Sequence, residues 1–379
     1  MSGGPGRTSV TTARDAADDR FMALALSLGR RGLGRTWPNP AVGALVVRDG
    51  VIIGRGWTQP GGRPHAEPVA LAQAGAAARG ATLYVTLEPC SHHGRTPPCA
   101  DAIIAAGIAR VVSAMEDPNP EVAGQGHHRL REHGIAVDVG LRADEARRAH
   151  AGHICRLLDH RPHVTLKLAV SADGKAGLAG RKPAPITGEA ARARVHLMRA
   201  TNDAVLTGIG TARADNPLLT CRLPGMAERS PVRVILDGKL RLPLESQLAM
   251  TANEVPLWVA GADNASPEAE QELRLLGADV IRVPSCDARL DLPALLTSLA
   301  DRGITRLMVE AGPIVSAAFV TAGLVDEAAV FRAGGVRLGA DAIDALEGMP
   351  LARLIDGSGL VPAGIETMGP DTLEIFERS

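Results

Sequence analysis

Aromatic residues are scarce: three Trp, one Tyr and four Phe make up 2% of 379 residues. That is too few to build the stacking platform on which single-stranded nucleic acids lie. An excess of positive charge is also missing. Lys and Arg number 41 and Asp and Glu 42, a formal net charge of −1, so no basic field awaits a phosphate backbone. Both absences argue against an enzyme that edits RNA or DNA. No apolar run approaches the ~18 residues of a membrane-spanning helix. Only five cysteines are present, no basis for a disulfide framework, and a cytoplasmic, reducing location is expected. Residues 1–18 hold Gly, Thr and Asp without an apolar segment, so they are expected to form a disordered leader rather than a signal peptide.

What is present is a constellation for metal chemistry. His65-Ala-Glu67 is followed by Glu88-Pro-Cys-Ser-His-His-Gly-Arg-Thr-Pro-Pro-Cys99. A catalytic zinc takes three protein ligands and keeps a fourth position for water. His65, Cys90 and Cys99 supply one imidazole and two thiolates, and the metal lowers the pKa of water from about 16 to about 7. Glu67 stands two residues past the histidine, placed to exchange a proton with that water. Such an arrangement is the signature of zinc-dependent nucleobase deaminases. A structural zinc more often shows two Cys-x-x-Cys pairs or a Cys2His2 set. Eight residues separate the cysteines, and the hydroxyl, imidazoles and guanidinium of that loop suit a substrate larger and more anionic than a free base.

A chain of this length predicts two domains. The boundaries expected are 19–160 and 161–379, divided at Asp159-His-Arg-Pro162, where proline stops a helix spanning 144–158. In the first half, helices at 16–31, 66–78 and 99–106 interleave with strands at 41–47, 51–54, 81–87, 110–114 and 135–139. That alternation predicts an α/β sandwich. The second half is α/β again: strands at 163–170, 204–207, 232–236, 257–260, 280–283, 306–309 and 327–331, with helices at 189–199, 267–276, 292–300 and 314–322. No Gly-x-Gly-x-x-Gly follows its first strand, so a Rossmann dinucleotide site is not expected.

Further segments carry weaker signals. Asn39, in Trp37-Pro-Asn-Pro, offers an amide to a pyrimidine edge, or is simply part of a turn. His127, His128, His150 and His153 read as solvated helix-face residues rather than ligands, and Cys155, Cys221 and Cys286 as ordinary thiols. The strand at 204–207 runs into a Gly208-x-Gly210 turn, with Thr211, Asp215 and Arg222 expected on the loop beyond. Val309-Glu-Ala-Gly-Pro-Ile314 leads a strand into a helix N-terminus, where phosphates bind, and Gly334-Gly335 offers a similar opening.

From Phe21 onward the chain resembles the bifunctional deaminase/reductase family of riboflavin biosynthesis. Pro38-Asn-Pro-x-Val-Gly43, Pro64-His-Ala-Glu67 and the Glu88–Cys99 block resemble its deaminase half. Thr165-Leu-Lys-Leu, Ser171-x-Asp-Gly174, Ile186-Thr-Gly, Thr211-x-x-x-Asp215-x-Pro-Leu-Leu-Thr and Val309-Glu-Ala-Gly-Pro313 resemble its reductase half. The resemblance implies a cytidine-deaminase-like three-layer sandwich followed by a dihydrofolate-reductase-like α/β domain. It implies one zinc per chain, held by His65, Cys90 and Cys99, with Glu67 as proton shuttle, and NADPH as second cofactor. Arg199, Leu219, Arg222 and Glu310 match substrate-contacting positions; Ala169, Thr211, Asp215, Gly238, Gly312 and Pro313 match positions lining NADPH. The implied reactions are hydrolytic loss of an amino group from a phosphoribosylated diaminopyrimidine, then reduction of its ribosyl group to ribityl. No nucleic-acid or membrane partner is implied, and a homo-oligomer is among the expected assemblies. Where the family carries a serine and a tryptophan, this chain has Pro183 and Pro185. That departure keeps an alternative open: a zinc deaminase whose C-terminal half does not reduce.

Overall fold

The computed structural model describes residues 13–92, 97–181, 184–286 and 289–379. The expected leader up to residue 12, the central loop residues 93–96 and Pro183 lie outside them. The chain divides into two compact units, one of Met1–Gly32 with Asn39–Ile154, the other of Leu33–Pro38 with Cys155–Ser379.

In the first unit, helix α1 (Ala13–Gly29) begins inside the stretch expected as leader. The reason is specific. Asp18 is buried, and it accepts the Tyr84 hydroxyl at 2.5 Å and two N–H groups of Arg110 at 3.0 and 2.7 Å. Strands β1 (Gly43–Arg48) and β2 (Val51–Trp57) form the expected hairpin, with Asp49 and Gly50 both at positive φ, the conformation a two-residue turn needs. Then come α2 (Ala66–Ala74), β3 (Thr82–Val85), α3 (Cys99–Ala106), β4 (Arg110–Ser113), α4 (Gln125–Glu132) and β5 (Ala136–Val139). The sheet order is β2-β1-β3-β4-β5, with β3, β4 and β5 parallel. One face buries Ala66 and Ala70 of α2, Ala100 and Ile103 of α3 and Leu130 of α4; the other buries Met22 and Leu26 of α1. The result is a three-layer sandwich.

The expected single helix 144–158 is two: α5 (Ala143–Ala149) and α6 (Ala151–Leu158). His150, expected on a solvated face, is buried at the break, and its Nε2 lies 3.2 Å from both the carbonyl and the hydroxyl oxygen of Thr86. His127 is fully buried as well, 3.8 Å from Glu88, whereas His128 is exposed beside Glu132. Alternation alone did not reveal that α4 and the α5–α6 break turn these imidazoles inward.

The second unit takes in residues from 155 onward, six before the boundary read from sequence, because α6 ends against it: Arg156 Nε donates to the Ala300 carbonyl at 2.8 Å. It also includes Leu33–Pro38, whose Trp37 packs on its core.

Its first elements are β6 (His163–Val170), β7 (Lys175–Gly177), α7 (Glu189–Thr201), β8 (Ala204–Gly208), α8 (Ile209–Asp215) and β9 (Val232–Leu236). Next come α9 (Gln247–Met250), β10 (Leu257–Ala262), α10 (Pro267–Leu275), β11 (Asp279–Val283) and the short pair β12 (Ser285–Cys286) and β13 (Arg289–Leu290). The chain closes with α11 (Leu292–Asp301), β14 (Arg306–Val309), α12 (Pro313–Thr321), β15 (Glu327–Arg332), β16 (Ile343–Asp344), β17 (Leu360–Met368) and β18 (Asp371–Arg378). A nine-stranded sheet runs β11-β10-β9-β8-β14-β6-β15-β18-β17. It is parallel from β11 to β15, and the β17–β18 hairpin closes it antiparallel.

That hairpin has no counterpart in the strands expected from sequence. The β17 segment is almost wholly exposed, so it lacks the apolar alternation of a half-buried strand. One face of the sheet buries even-numbered β6 residues against α11 and α12, the other packs Met308 and Phe331 against α7 and α10. Because the crossovers all return the chain to the same end, the C-terminal ends of β6, β8 and β14 meet where open α/β sheets bind ligands.

Candidate active sites

The first site is assembled by two helix starts and a strand end. Gly56 of β2 lets α2 approach closely, since a Cβ there would stand 2.1 Å from the Ala66 carbonyl oxygen. That contact fixes the first turn of α2, where His65 is the N-cap and Glu67 is buried. Cys90 follows the end of β3, and Cys99 is the first residue of α3. The His65 Nδ1 lies 3.8 Å from Cys90 Sγ and 3.3 Å from Cys99 Sγ. All three donor atoms fall within 4.8 Å of one another, so sequence spacing has become a single ligand set.

Electrostatics favour a cation there. Cys90 is drawn down to about 4 by the hydrogen bond from the Cys99 thiol, against the opposing effect of burial, with His65 and the Cys99 N–H assisting at 3.3 Å. The Cys99 thiol is pushed up by that same hydrogen bond and by burial. The pair thus favours thiolate at Cys90, and a divalent cation held here would take both sulfurs as thiolates. Its hydrogen bond with Cys90 raises the pKa of His65. Burial, then the Cys90 charge, raises Glu67 to about 7. One imidazole, two sulfurs and a buried carboxyl beside them fit a tetrahedral zinc with an open position.

Glu88 is a functional residue that sequence reading assigned no role. Its carboxylate accepts the backbone N–H groups of Asp117 (3.0 Å), Gly124 (2.9 Å), Gly126 (2.7 Å) and His127 (3.3 Å). It thereby pins the 117–127 segment to the strand end that presents Cys90. Asn39 donates from Nδ2 to the Gly62 carbonyl at 2.8 Å, so one end of its amide holds the loop before α2.

The second site lies at the C-terminal ends of the parallel strands. Glu310, just past β14, receives Arg199 Nε at 2.9 Å and Nη2 at 3.0 Å, a two-pronged pairing, and Lys167 Nζ lies 3.6 Å away. Burial pushes the Glu310 carboxyl upward, but Lys167 and Arg199 outweigh it and leave its pKa lowered. Arg199 also donates from Nη1 to the Thr220 carbonyl at 3.0 Å. Its guanidinium is therefore engaged by protein groups, and Arg222, exposed on the following loop, is the arginine presented outward. Lys167 was missed by sequence reading; its signal was a lone lysine in the apolar strand Val164-Thr-Leu-Lys-Leu-Ala-Val170.

The remaining expected residues fall around this edge. Thr211 and Asp215 lie on helix α8, not on a loop, and Gly208 is that helix's N-cap rather than part of a Gly-x-Gly turn. Leu219 is buried in the core at a φ of 54°, which turns the chain sharply before Arg222. Ala169 is the penultimate residue of β6, and Gly238 follows β9. Gly312 caps α12 with Pro313 as its first residue, and a Cβ at Gly312 would stand 3.1 Å from Thr211 Oγ1. That bare helix start beside a hydroxyl fits a cofactor phosphate. Gly334 serves packing instead, because a Cβ there would meet the Pro370 carbonyl oxygen at 1.9 Å. Pro185 is exposed in the segment before α7.

Comparison with known proteins finds a family model in each half of the chain. Residues 15–115 match the cytidine and deoxycytidylate deaminase zinc-binding region, and residues 162–372 match the RibD C-terminal domain. Over 365 residues the chain is 41% identical to riboflavin biosynthesis protein RibD of Escherichia coli strain K12, covering 93% of this chain and 97% of that one. Its Aquifex aeolicus strain VF5 counterpart is 39% identical over 366 residues, with 95% and 98% covered. Among solved structures, Acinetobacter baumannii RibD superposes with a TM-score of 0.84 at 37% identity, covering 96% of this chain and 99% of that one. The Thermotoga maritima diaminohydroxyphosphoribosylaminopyrimidine deaminase/5-amino-6-(5-phosphoribosylamino)uracil reductase gives 0.82 at 35% identity, with the same coverage. Likeness along both halves does not favour a non-reducing C-terminal half. The chain belongs to the RibD family of riboflavin biosynthesis, zinc- and NADPH-dependent enzymes that are both deaminase and reductase.

Proposed function

We propose that residues 19–160 deaminate 2,5-diamino-6-hydroxy-4-(5-phosphoribosylamino)pyrimidine and that residues 161–379 reduce the product's ribosyl group to ribityl. The observation that carries the first step is the His65–Cys90–Cys99 donor set with Glu67 buried beside it. Zinc held by these residues would lower the pKa of a water in its open position to about 7. Glu67 takes a proton from that water and passes it to the departing amine, so a C–N bond is exchanged for a C=O bond and ammonia leaves. Asn39 orients the pyrimidine through the amide oxygen that Gly62 does not engage.

In the second step NADPH supplies a hydride. Ala169, Thr211, Asp215, Gly238, Gly312 and Pro313 line its site, on the support of the Gly312–Thr211 approach at the start of α12. Bound there, NADPH would give its hydride to C1′ as the ring C–O bond breaks, leaving NADP+, with the ring oxygen taking a proton from solvent. Glu310, with Arg199 and Lys167 around it, orders the substrate wall together with Leu219, and Arg222 grips the phosphate, an anion suited to a guanidinium fork.

A homo-oligomer is part of the same reading. Its support is β17, the outermost strand of the large sheet, where Val361 and Ile365 are 46% and 76% exposed. The protein acts in the cytoplasm, a compartment that keeps the thiols of Cys90 and Cys99 reduced. Incubation with the diaminopyrimidine and NADPH tests the whole sequence: one ammonia released and one NADPH oxidised per substrate is expected. Ammonia release without NADPH oxidation would restrict the activity to deamination.

A further inference from the structure

His196 belongs to neither set of expected residues, yet its ring meets the backbone of the segment that carries Arg222. It lies on α7, one turn before Arg199, and is half-buried. Its Nδ1 is 3.3 Å from the backbone N–H nitrogen of Arg222 and 3.1 Å from the Thr220 carbonyl oxygen. A single ring nitrogen cannot serve both. With a lone pair it accepts from Arg222; with a proton it donates to Thr220 and leaves the Arg222 N–H without that acceptor. The Thr220 carbonyl is already supplied by Arg199 Nη1 at 3.0 Å. Burial, and then the charges of Arg199 and Arg222, hold the His196 pKa below its usual value, which leaves the ring neutral.

The rest of the segment is fixed independently. Leu219 is sunk in the core, and the Cys221 N–H donates to Ser230 Oγ at 3.1 Å. Residue 222 is where the chain leaves these anchors for the surface, and His196 meets it there.

We infer that His196 is a positioning residue for reduction: neutral Nδ1 accepts the Arg222 backbone N–H and so sets where the Arg222 guanidinium meets the substrate phosphate. This rests on the reading of Arg222 as a substrate-gripping residue. His196 itself touches no reacting atom. Its effect therefore falls on substrate KM rather than on kcat or on NADPH affinity.

The test uses the full-length zinc protein, the deaminated phosphoribosylaminouracil and NADPH oxidation as readout. His196→Ala is expected to raise substrate KM by roughly 3- to 10-fold, the scale of one lost hydrogen bond, with kcat within about twofold of wild type. In His196→Asn, Oδ1 stands near the place of Nδ1 and accepts without titrating, so KM is expected to return toward wild type. The double variant His196→Ala/Arg222→Ala is expected to be no worse than Arg222→Ala alone, the signature of coupled residues. A rise in KM with Arg222→Ala but none with His196→Ala overturns the inference alone. So does a KM rise in His196→Ala that the asparagine fails to rescue. If Arg222→Ala leaves KM unchanged, the reading of Arg222 falls, and the role of His196 falls with it.

Discussion

Glu88 accepts the backbone N–H of Gly126 at 2.7 Å, and the same glycine faces the Pro89 carbonyl oxygen so closely that a Cβ would stand 2.0 Å from it. The segment between β3 and Cys90 and the start of α4 are thus locked by one carboxylate and one missing side chain. Neither contact is local in sequence, and both bear on how firmly Cys90 is held.

Gly126→Ala should therefore be costly. Backbone must shift to admit the methyl group, a cost of about 1–3 kcal/mol for overpacking. Urea unfolding should show the loss, deamination should fall, and NADPH-dependent reduction of pre-deaminated substrate should be retained. Wild-type stability in the variant would show that Pro89 moves freely.

Removal of a zinc ligand gives the second prediction. Cys99→Ala leaves one imidazole and one sulfur, too few for a site of three protein ligands. Metal analysis should fall from about one zinc per chain toward none, and ammonia release should disappear with it. Full zinc content with normal deamination would refute the assignment of Cys99.

Glu67→Gln separates metal binding from proton transfer. Glutamine is close in shape but cannot carry the proton. Zinc content should stay near wild type while deaminase kcat falls by ~10²–10⁴-fold, the usual contribution of general acid–base catalysis. Reduction should be unchanged, since its residues belong to the other unit. Equal loss of both activities in a folded variant would contradict two separate sites.

Acid stability has an identifiable contributor in Asp326. Burial pushes its carboxyl up, but Arg161, bonded at 2.5 and 2.8 Å, and the Val164 N–H at 2.9 Å prevail, and its pKa is lowered. A depressed folded-state pKa gives stability that is present above the unfolded carboxylate value near 4 and is lost as pH falls through the folded value. Wild-type urea midpoints should drop as pH is lowered from about 5 toward 3. Asp326→Asn should be less stable at neutral pH and show a shallower drop. Parallel curves for the two proteins would remove Asp326 from the acid response.

The deaminase ligands were legible because the chemistry demands particular residue types next to particular elements. His65 before a helix, Cys90 after a strand and Cys99 at a helix start are all local features. The strands of the parallel sheet were legible for the same reason: seven apolar runs, each bounded by turns. The C-terminal hairpin was not, because an exposed edge strand buries too little to imprint a pattern. Histidines 127 and 150 show the converse failure. Their local sequence carries no apolar pattern that marks them as interior, and packing beside Glu88 and Thr86 makes them buried groups.

Sequence by itself determined the family, the two chemistries and the His65, Cys90 and Cys99 cluster as a candidate metal site, since these rest on residue identity and short spacing. The tertiary structure decided the electrostatic partnerships. Arg199 and Glu310 are 111 residues apart, yet parallel crossovers bring their elements to one sheet edge, where burial makes each the other's counter-charge. Sequence spacing cannot report that pairing, because a charge buried far along the chain chooses its partner by three-dimensional proximity and low local dielectric.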